Sequence, residues 1–467
     1  MRRSRLALVA AVAMLACGGA ASAVLAGTRG SAPATQELTV TVSDGTPLAC
    51  GLVLPAGQPP AGGWPGLLLF PGLGETHAAL DELASEAFAP AGFASLSCDP
   101  RGTGGSGGQF GLDGPREVQD ARDLFAWLAA RPDVSDTRIG AVGLSLGGGE
   151  VWNAAAAGVP FAAIVPVAAW TDLARALAPD GVPKSGLIAS LEPPGTSWQP
   201  PLAKARDDLL GGSVTRAAAA ALAARSSLRR LRSLTVPTLI LQGRHDFLFD
   251  LDQALDAYRA LRGPKRLYLG DLGHAPATNP PAEEPHYLSE IVAWLRRYLA
   301  GGPPLAGGVE LAHDPWDGST SRFRGLPRTR RVSVALPGTT TLTGAGSLRR
   351  AVRLPGGPLE TFGDGAVSVR YTGATPGWTQ LVATVSVQGR RTPVTEGAAR
   401  VPTRAGVVRI PLLDEAVLLP RGRRLVVALG ASSADGVYRA PAGSTTASIT
   451  IGRVTLGLSV LWRAVSK

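Results

Sequence analysis

Three side chains of the kinds used in nucleophilic catalysis occur along the chain in the order serine, aspartate, histidine. Ser145 lies in the stretch AVGLSLGGGE, where Gly143 and Gly147 flank it in a G-x-S-x-G pattern. Asp246 ends the stretch LILQGRHD, and His274 lies in YLGDLGHAP. A serine hydroxyl is a weak nucleophile until a base takes its proton, and an acid must orient that base. The order therefore predicts Ser145 as nucleophile, His274 as general base and Asp246 as orienting acid.

The glycine pattern alone does not single out one serine. The chain contains 59 Gly, and GGSGG around Ser106 fits the same pattern. Ser145, however, follows an apolar strand-like run and precedes a helix-like stretch, whereas Ser106 lies inside the glycine loop DPRGTGGSGG. A tight turn between strand and helix is what exposes a nucleophilic hydroxyl. The context therefore favours Ser145.

Two backbone amides are predicted to stabilise, by hydrogen bonds, the negative charge that develops on an attacked carbonyl oxygen. The N–H of Leu146 stands at the start of the predicted helix, directly after the serine. The second donor is predicted in the loop FPGLGETH, where Gly72 and Gly74 let the backbone approach a substrate closely. The Leu73 N–H is the expected donor there.

Alternative acids and bases are present in the same region. These are Asp250, Asp252, Asp271, His245 and His286. The first two fall at a predicted helix start, where aspartates are typical caps. Asp271 is close to His274 in sequence and is expected to be a loop residue, while His286 lies in a loop rich in Pro and Glu. His245 remains an alternative to its neighbour Asp246, and His77 and His313 are expected at the surface or in packing.

Short apolar runs alternate with amphipathic helices over residues 36–302. After a hairpin at 36–57, strands are predicted at 66–70, 92–98, 138–144, 161–170, 236–243 and 265–270, and helices at 118–131, 251–261 and 287–301. Such alternation predicts a doubly wound, mostly parallel α/β sheet. Residues 171–234 lack a strand pattern and are rich in Pro, Ala and charge, so we expect a helical lid inserted there.

The pattern changes after GGPPLAGG at residues 301–308. From there RRVSVAL, AVSVRY, LVATVSV, GVVRI, RLVVAL and ASITIG read as short alternating strands separated by Gly, Pro and Ser. Residues 303–467 are therefore predicted to form an all-β sandwich or jelly roll.

Composition and charge exclude several classes of protein. The net charge is +10 and the pI about 10.1, but the arginines are scattered, with LRRLR and RTRR as the densest runs. Neither run lies in a nucleic-acid-binding motif, so no nucleic-acid partner is expected. Metal-ligand spacing is lacking among Cys and His, so we expect neither a metal nor an organic cofactor.

The N-terminus predicts export. Three arginines at positions 2, 3 and 5 precede an apolar run at 6–16, which is too short to span a bilayer, and a small-x-small cleavage site ends at Ala23. We expect a signal peptide at 1–23 and a secreted protein without an integral membrane span. Lipid anchoring at Cys17 is the alternative.

Two cysteines, Cys50 and Cys98, follow the predicted cleavage site. Both lie in apolar strand-like runs, so buried free thiols are expected, although one bridge remains open in an oxidising compartment.

A substrate pocket is expected beneath the lid. Trp170 and Trp198 are candidates for its walls, and packing in the core is an equal alternative for both. If the substrate is a peptide with a free N-terminus, a carboxylate must hold its ammonium group. Glu192, Asp207 and Asp208 are candidates for that role, with ordinary surface charge as the alternative.

The motifs together resemble the α/β-hydrolase superfamily over roughly residues 39–299. DPRGTGGSGG is similar to the superfamily's Asp-x-Arg-Gly-x-Gly-x-Ser loop, in which Asp99 and Arg101 have a bracing role. The superfamily's strand order also implies that the Cys50 strand lies beside the Cys98 strand.

The whole chain resembles a narrower group, the X-prolyl dipeptidyl-peptidase and cocaine-esterase family of serine hydrolases. The resemblance rests on SSLRRLRSLTVPTLILQGRHDFLFD and on the tail QLVATVSVQGRRTPVTEGAARV with PLLDEAVLLPRGRRLVVALGASSADGVYR. It implies a C-terminal jelly roll related to galactose-binding domains, and hydrolysis of an ester or peptide bond through an acyl-enzyme. The predicted lid is short beside cocaine esterase's helical domain, so specificity for X-Pro peptides or for esters stays open. A non-catalytic exported protein that binds a glycan through the β-sandwich is the alternative from a different class.

Overall fold

The computed structural model describes residues 33–191, 195–354 and 358–462. The predicted signal peptide, Cys17 and Glu192 lie outside these described residues. The strands of the first sheet are β1 (Ala34–Thr41), β2 (Pro47–Leu54), β3 (Trp64–Phe70), β4 (Ala94–Cys98), β5 (Val134–Leu144), β6 (Ala163–Val167), β7 (Thr238–Gly243), β8 (Lys265–Gly270), β9 (Gly308–Ala312) and β10 (Thr320–Phe323).

The order of strands in the first sheet is β1-β2-β4-β3-β5-β6-β7-β8-β9-β10. From β4 through β9 neighbouring strands run parallel, while β1, β2 and β10 pair antiparallel at the two ends. The central parallel strands are almost wholly buried, as expected for a sheet covered on both faces.

Helices lie on the two faces of this sheet and in the segment between β6 and β7. They are α1 (His77–Leu83), α2 (Pro115–Ala129), α3 (Leu146–Ala156), α4 (Leu173–Leu177), α5 (Ser185–Ile188), α6 (Pro200–Leu210), α7 (Arg216–Ala223), α8 (Leu251–Ala260) and α9 (Glu284–Leu299). Helices α2, α3 and α8 share one apolar core with the sheet. A second core on the opposite face holds α9 and a π-helical turn that continues α1. The predicted doubly wound α/β fold is confirmed.

The strand register joins the two cysteines. Cys50 of β2 lies directly opposite Cys98 of β4, and the two form a disulfide. The expectation of free thiols is wrong, because the sheet brings together two buried cysteines that are 48 positions apart in sequence.

The segment between β6 and β7 is helical and contains α4 to α7. It turns apolar side chains towards the end of the sheet that bears Ser145, where they share a core with Leu146 and Trp170. We call residues 171–234 the lid.

The remaining strands form a sandwich of two antiparallel sheets. They are β11 (Thr329–Leu336), β12 (Thr340–Thr343), β13 (Leu348–Arg353), β14 (Leu359–Thr372), β15 (Gln380–Val387), β16 (Pro393–Arg400), β17 (Gly406–Glu415), β18 (Leu418–Leu419), β19 (Arg424–Gly430) and β20 (Ser448–Leu461). One sheet is built around β11-β20-β14-β17 and the other has the order β13-β19-β15-β16. Their inner faces share one apolar core.

The change from one unit to the other falls later than the sequence pattern indicates. Strands β9 and β10 follow the predicted boundary at Pro303, yet they extend the first sheet. β9 is buried along its whole length beside β8. The strands of the sandwich itself therefore begin at Thr329.

Arg244, directly after β7, joins the sandwich to the α/β unit. Its buried guanidinium donates to the Ala416 carbonyl at 2.7 Å and to Glu360 at 2.5 Å, and also to the Ala312 carbonyl. The Ala416 N–H in turn donates to the Arg244 carbonyl at 2.7 Å. One buried side chain thus ties together β7, β9 and the sandwich, two residues before Asp246.

Replacing Arg244 with alanine is expected to lower the free energy of unfolding by about 3–5 kcal/mol, since a buried, hydrogen-bonded charge is removed from its partners. Urea denaturation of the purified variant measures this loss. Arg259→Ala is the matched control, because its ion pair with Asp256 is largely solvent-exposed and its loss is expected to cost less than about 0.5 kcal/mol. Equal effects of the two substitutions would contradict the proposed fastening role.

None of the helices in the part of the chain that the structure describes combines the length and apolarity needed to cross a bilayer.

Candidate active site

Ser145 occupies a strained turn between β5 and α3. Its backbone angles are φ 55° and ψ −112°, a region that residues other than glycine rarely adopt. The neighbouring glycines make the turn sterically feasible. A Cβ on Gly143 would lie 2.2 Å from the Gly147 carbonyl oxygen, and one on Gly147 would lie 1.9 Å from the Phe70 carbonyl oxygen.

The three predicted side chains lie in one hydrogen-bonded line. Ser145 Oγ is 2.8 Å from His274 Nε2, and His274 Nδ1 is 2.8 Å from Asp246 Oδ2. Asp246 follows β7 and His274 follows β8, so the carboxyl ends of adjacent parallel strands bring them together. In this arrangement the imidazole can accept a proton from the serine while its other nitrogen is held by the carboxylate.

Asp246 is fully buried and held rigidly. Its Oδ1 accepts the N–H groups of Leu248 at 2.9 Å and Phe249 at 3.0 Å, and its Oδ2 also accepts the backbone N–H of His274 at 3.0 Å. The carboxylate is thereby fixed in one rotamer, with one oxygen facing the imidazole.

A buried lysine of the lid fixes the loop that follows Asp246. Lys184 Nζ donates to the carbonyls of Phe247 at 2.7 Å and Leu248 at 3.2 Å. The side chain of Phe249, next along this loop, packs edge-on against the His274 ring, with centroids 5.0 Å apart. Sequence reasoning missed Lys184, because no local pattern in the lid marks a lysine that reaches a distant loop.

A second carboxyl group lies behind Asp246 and comes from the sandwich. Glu415 of β17 is buried, and its Oε2 accepts the Asp246 N–H at 3.2 Å. Burial, reinforced by the carboxylates of Asp250 and Asp246, raises the pKa of Glu415 well above its ordinary value. The raised pKa means that this environment favours the neutral form of Glu415 over the charged form.

This buried carboxyl group predicts a pH dependence of stability. Because the folded-state pKa of Glu415 is raised above the ordinary 4.5, its stabilising contribution is complete below that value and is lost as the pH rises through the folded-state pKa. In Glu415→Gln this side chain stays neutral, so its contribution to the fall in the free energy of unfolding with rising pH should disappear. Unfolding free energies measured at about pH 5 and about pH 8 test it. Glu82→Gln, at an exposed position, is the control, and unchanged slopes in both variants would contradict the prediction.

Two backbone amides, of Leu73 and Leu146, are the predicted oxyanion donors. Leu73 and Leu146 both line the cavity that opens onto Ser145. The Leu146 N–H belongs to the first residue of α3 and so has no acceptor within the helix. Over the described ranges, no backbone or side-chain acceptor binds the Leu73 N–H. Both amides are therefore available to an oxyanion, and that role remains a prediction.

Glu75 sets the shape of the loop that contains Leu73. Its Oε2 accepts the Gly72 N–H at 2.8 Å, and its own N–H donates to the Gly72 carbonyl at 3.1 Å. Burial raises the pKa of Glu75. Sequence reasoning missed this residue, although the acid stands just after the glycine pair in FPGLGETH.

Ser106 has a structural role. Its Oγ donates to the Asp99 carbonyl at 2.7 Å and accepts the Ala49 N–H at 2.9 Å. Asp99 itself accepts the N–H groups of Gly105 and His77, and Arg101 pairs with Asp120 at 2.5 Å. The loop is thus braced by these residues, in agreement with the role that the superfamily resemblance implies.

The other candidate acids and bases have partners away from Ser145. Asp250 accepts the Asp414 N–H, Asp252 pairs with Arg175, Asp271 binds Thr278, His286 faces Glu310, His77 lies between Asp99 and Glu37, and His313 contacts Ser319. Burial lowers the pKa of His245 to about 4, so its ring is neutral at pH 7. The ring packs against Phe247 instead of facing the serine.

The cavity above Ser145 has a volume of about 880 Å³. Trp170 and Trp198 both lie on its wall. The Trp170 indole N–H donates to the Arg225 carbonyl at 2.8 Å, and Trp198 packs edge-on against Phe110. Of the predicted holders of an ammonium group, Asp207 and Asp208 do not line the cavity, and Glu192 lies outside the described residues. Among the residues that the structure describes, the acids that line it are Glu75 and Asp435.

The fold and this geometry define an α/β-hydrolase. The serine lies at the strained turn that follows β5, and its partners follow β7 and β8 in the same order along the chain.

Comparison with known proteins places the chain within one family. The model of the X-Pro dipeptidyl-peptidase (S15) family matches residues 44–276 and so covers Ser145, Asp246 and His274. The chain belongs to this family of hydrolases. Among curated proteins it matches an uncharacterized 31.7 kDa protein of Escherichia coli, with 37% identity over 89 residues. That match covers 19% of this chain and only 31% of the relative's length.

Solved structures share the architecture over almost the whole chain. A CocE/NonD family hydrolase from Staphylococcus aureus superposes with a TM-score of 0.68 at 14% identity, covering 92% of this chain and 94% of that one. An aminopeptidase from a marine sediment Thaumarchaeota archaeon also gives 0.68 at 14%, covering 95% and 99%. An α-amino acid ester hydrolase gives the same values over 94% and 98%. At these identities the likeness shows the fold, with its C-terminal β unit.

Proposed function

We propose that this chain is a serine hydrolase that cleaves a carboxylic ester or a peptide bond through an acyl-enzyme on Ser145. The observation that carries the proposal is the continuous line from Ser145 through His274 to Asp246, with both contacts at 2.8 Å, at the floor of the cavity. The family match supports the same class of reaction.

The first half of the reaction forms the acyl-enzyme. Ser145 Oγ attacks the carbonyl carbon while its proton passes to His274 Nε2, and Asp246 stabilises the imidazolium. The oxyanion of the tetrahedral intermediate accepts hydrogen bonds from the N–H groups of Leu146 and Leu73. The intermediate collapses, the C–O or C–N bond breaks, and His274 gives its proton to the departing alcohol or amine.

The second half releases the acid. Water takes the place of the leaving group, His274 removes one of its protons, and the resulting hydroxide oxygen attacks the acyl carbon. When this second intermediate collapses, the bond to Ser145 Oγ breaks and the serine regains its proton from His274. The chain's own residues perform each of these steps.

Two observations bear on which bond is cleaved. The cavity wall is predominantly apolar, which favours an ester with an apolar acyl group. The family match and the presence of Glu75 in the cavity wall favour an X-Pro dipeptidyl-peptidase, since a carboxylate there would hold a substrate ammonium group. We propose the ester hydrolase first and the X-Pro peptidase second.

An assay of the purified protein on an X-Pro 4-nitroanilide and on 4-nitrophenyl acyl esters separates the two. Turnover of the esters without cleavage of the anilide is the expected result. Preferential cleavage of the anilide would overturn the ester assignment and support the peptidase. Ser145→Ala is the control for both substrates.

We also propose that the protein is exported, with cleavage after Ala23. The support is the basic and then apolar N-terminus, together with the Cys50–Cys98 disulfide, which is typical of oxidising compartments. N-terminal sequencing of protein from the culture medium is expected to begin at Val24. Retention of the whole chain inside the cell would contradict export, and lipid attached to Cys17 would support the anchored alternative.

A further inference from the structure

The interior of the cavity is lined by hydrocarbon side chains of the lid. Helices α4, α5, α6 and α7 each turn part of their apolar face towards it. The residues concerned are Leu173, Leu177, Leu187, Ile188, Leu209 and Leu222. All six are buried from bulk solvent. The lid helices therefore surround an open volume with leucine and isoleucine, which is a wall suited to an apolar occupant.

Other lining residues lie at the rim, while the half-buried Glu75, Ser190 and Arg206 add polar groups to the wall. Gly74, Arg391, Thr392 and Asp435 line the same cavity but are exposed to solvent. Three of these four belong to the sandwich, and the lid is joined to it where the Gly186 N–H donates to a sandwich carbonyl at 3.0 Å. The lid side of the cavity is thus mostly apolar, and the exposed mouth carries polar groups of the sandwich.

The volume of about 880 Å³ lies towards the upper end of the range for small-molecule sites. An acetyl group would leave most of this apolar surface without a partner, whereas a long hydrocarbon chain would cover it. Because the acyl group stays bound to Ser145 while the alcohol departs, the enclosed interior suits the acyl chain and the open rim suits the leaving alcohol.

We infer that the site hydrolyses esters of medium- and long-chain fatty acids, with the acyl chain lying among the lid leucines. This inference rests on the serine hydrolase function proposed above. The lid residues Leu187 of α5 and Leu209 of α6 then determine specificity, since they lie on the wall but outside the reacting groups.

The test is the dependence of kcat/KM on acyl chain length, with acetyl, butyryl, hexanoyl and octanoyl 4-nitrophenyl esters below their micelle concentrations. Each buried methylene can raise kcat/KM by up to about fourfold. We expect a total rise of at least about tenfold from butyryl to octanoyl. A flat profile, or one that falls from acetyl onward, would overturn the inference.

Substitutions that fill the cavity provide a second test of the inference. Leu187→Trp and, on a different helix, Leu209→Trp should each lower kcat/KM for the octanoyl ester by about tenfold or more and change that for the acetyl ester less than about twofold. Ala220→Trp, at an exposed position of α7, is the matched control and should leave both unchanged. If both cavity variants keep their circular dichroism and lose activity on the two esters equally, or on neither, the acyl chain does not occupy this space.

The failure of this inference can be told apart from failure of the proposed function. A wild-type enzyme that reacts at Ser145 with a fluorophosphonate and hydrolyses the acetyl ester, yet shows no preference for longer chains, contradicts only the fatty-acyl assignment. A protein that hydrolyses none of the esters and does not react contradicts both.

Discussion

Replacing Ser145 with alanine is expected to lower kcat for ester hydrolysis by about 10⁶-fold, because the nucleophile acts as a unit with its base and acid. The measurement is the initial rate with a 4-nitrophenyl ester, on enzyme whose folding is verified by circular dichroism. The residual rate should come only from binding and from the amide donors near Leu146 and Leu73.

Ser106→Ala is the matched control for this experiment. Ser106 stands in the same G-x-S-x-G pattern but braces a loop through the Asp99 carbonyl and the Ala49 N–H. Its loss is expected to change kcat by less than about threefold while costing about 1 kcal/mol of stability. A large loss of activity in Ser106→Ala with activity retained in Ser145→Ala would reverse the assignment of the nucleophile.

Replacing Asp246 with asparagine is expected to lower kcat by about 10⁴-fold while leaving the fold intact. The carboxylate accepts hydrogen bonds from His274 Nδ1, the His274 backbone and two loop amides. An amide in its place presents a donor as well as an acceptor, so the imidazole is no longer held in the tautomer that can accept the serine proton.

The alternative acids provide the controls for this second substitution. Asp252→Asn, which removes the ion pair with Arg175 at 2.8 Å, should leave kcat within about fivefold of wild type. Asp250 accepts a hydrogen bond from the Asp414 N–H of the sandwich. Asp250→Asn should likewise leave kcat within about fivefold of wild type. If Asp250→Asn or Asp252→Asn caused the larger loss, Asp246 would not be the orienting acid.

The reacting residues could be predicted because their signals are local. A strand, a glycine-flanked serine and a helix follow one another without interruption, and Asp246 and His274 each follow a buried strand in the expected order. The same information separates Ser145 from Ser106, which has neither a strand directly before it nor a helix directly after it. The parallel sheet then brings these side chains together, because the carboxyl ends of its adjacent strands lie at one edge.

The supporting residues could not be predicted, because their contacts join distant parts of the chain. Glu415 meets Asp246 across 169 positions, and Arg244 meets Ala416 across 172. Lys184 reaches the Asp246 loop from within the lid. None of these has a motif, since a buried glutamate or arginine in a strand looks in sequence like any other charged residue.

The disulfide and the end of the first sheet also could not be predicted from local sequence patterns. Two cysteines in apolar runs give no information about register, and only the pairing of β2 with β4 makes Cys50 and Cys98 neighbours. Strands β9 and β10 read as part of the sandwich because their short patterns follow a Gly- and Pro-rich stretch. Burial of β9 beside β8 assigns them to the first sheet instead.

The sandwich contributes to the site as well as to the fold. It supplies Glu415 behind the acid and Arg391 and Asp435 at the cavity rim. Arg400 also donates to the lid carbonyls of Gly181 and Gly212, at 3.0 Å and 2.7 Å. A truncated chain that ends before the sandwich would lose these contacts together, so the two units are expected to work as one enzyme.

Reaction with a fluorophosphonate, followed by intact-mass and peptide mass spectrometry, tests the central claim most directly. A phosphonate ester forms only on a serine whose hydroxyl is activated by a base and whose oxyanion site is in place. Stoichiometric labelling of Ser145 in the wild-type protein, and none in Ser145→Ala or His274→Ala, is the predicted result. An unlabelled wild-type protein, or a label on Ser106, would contradict the assignment of Ser145, His274 and Asp246 as a catalytic unit.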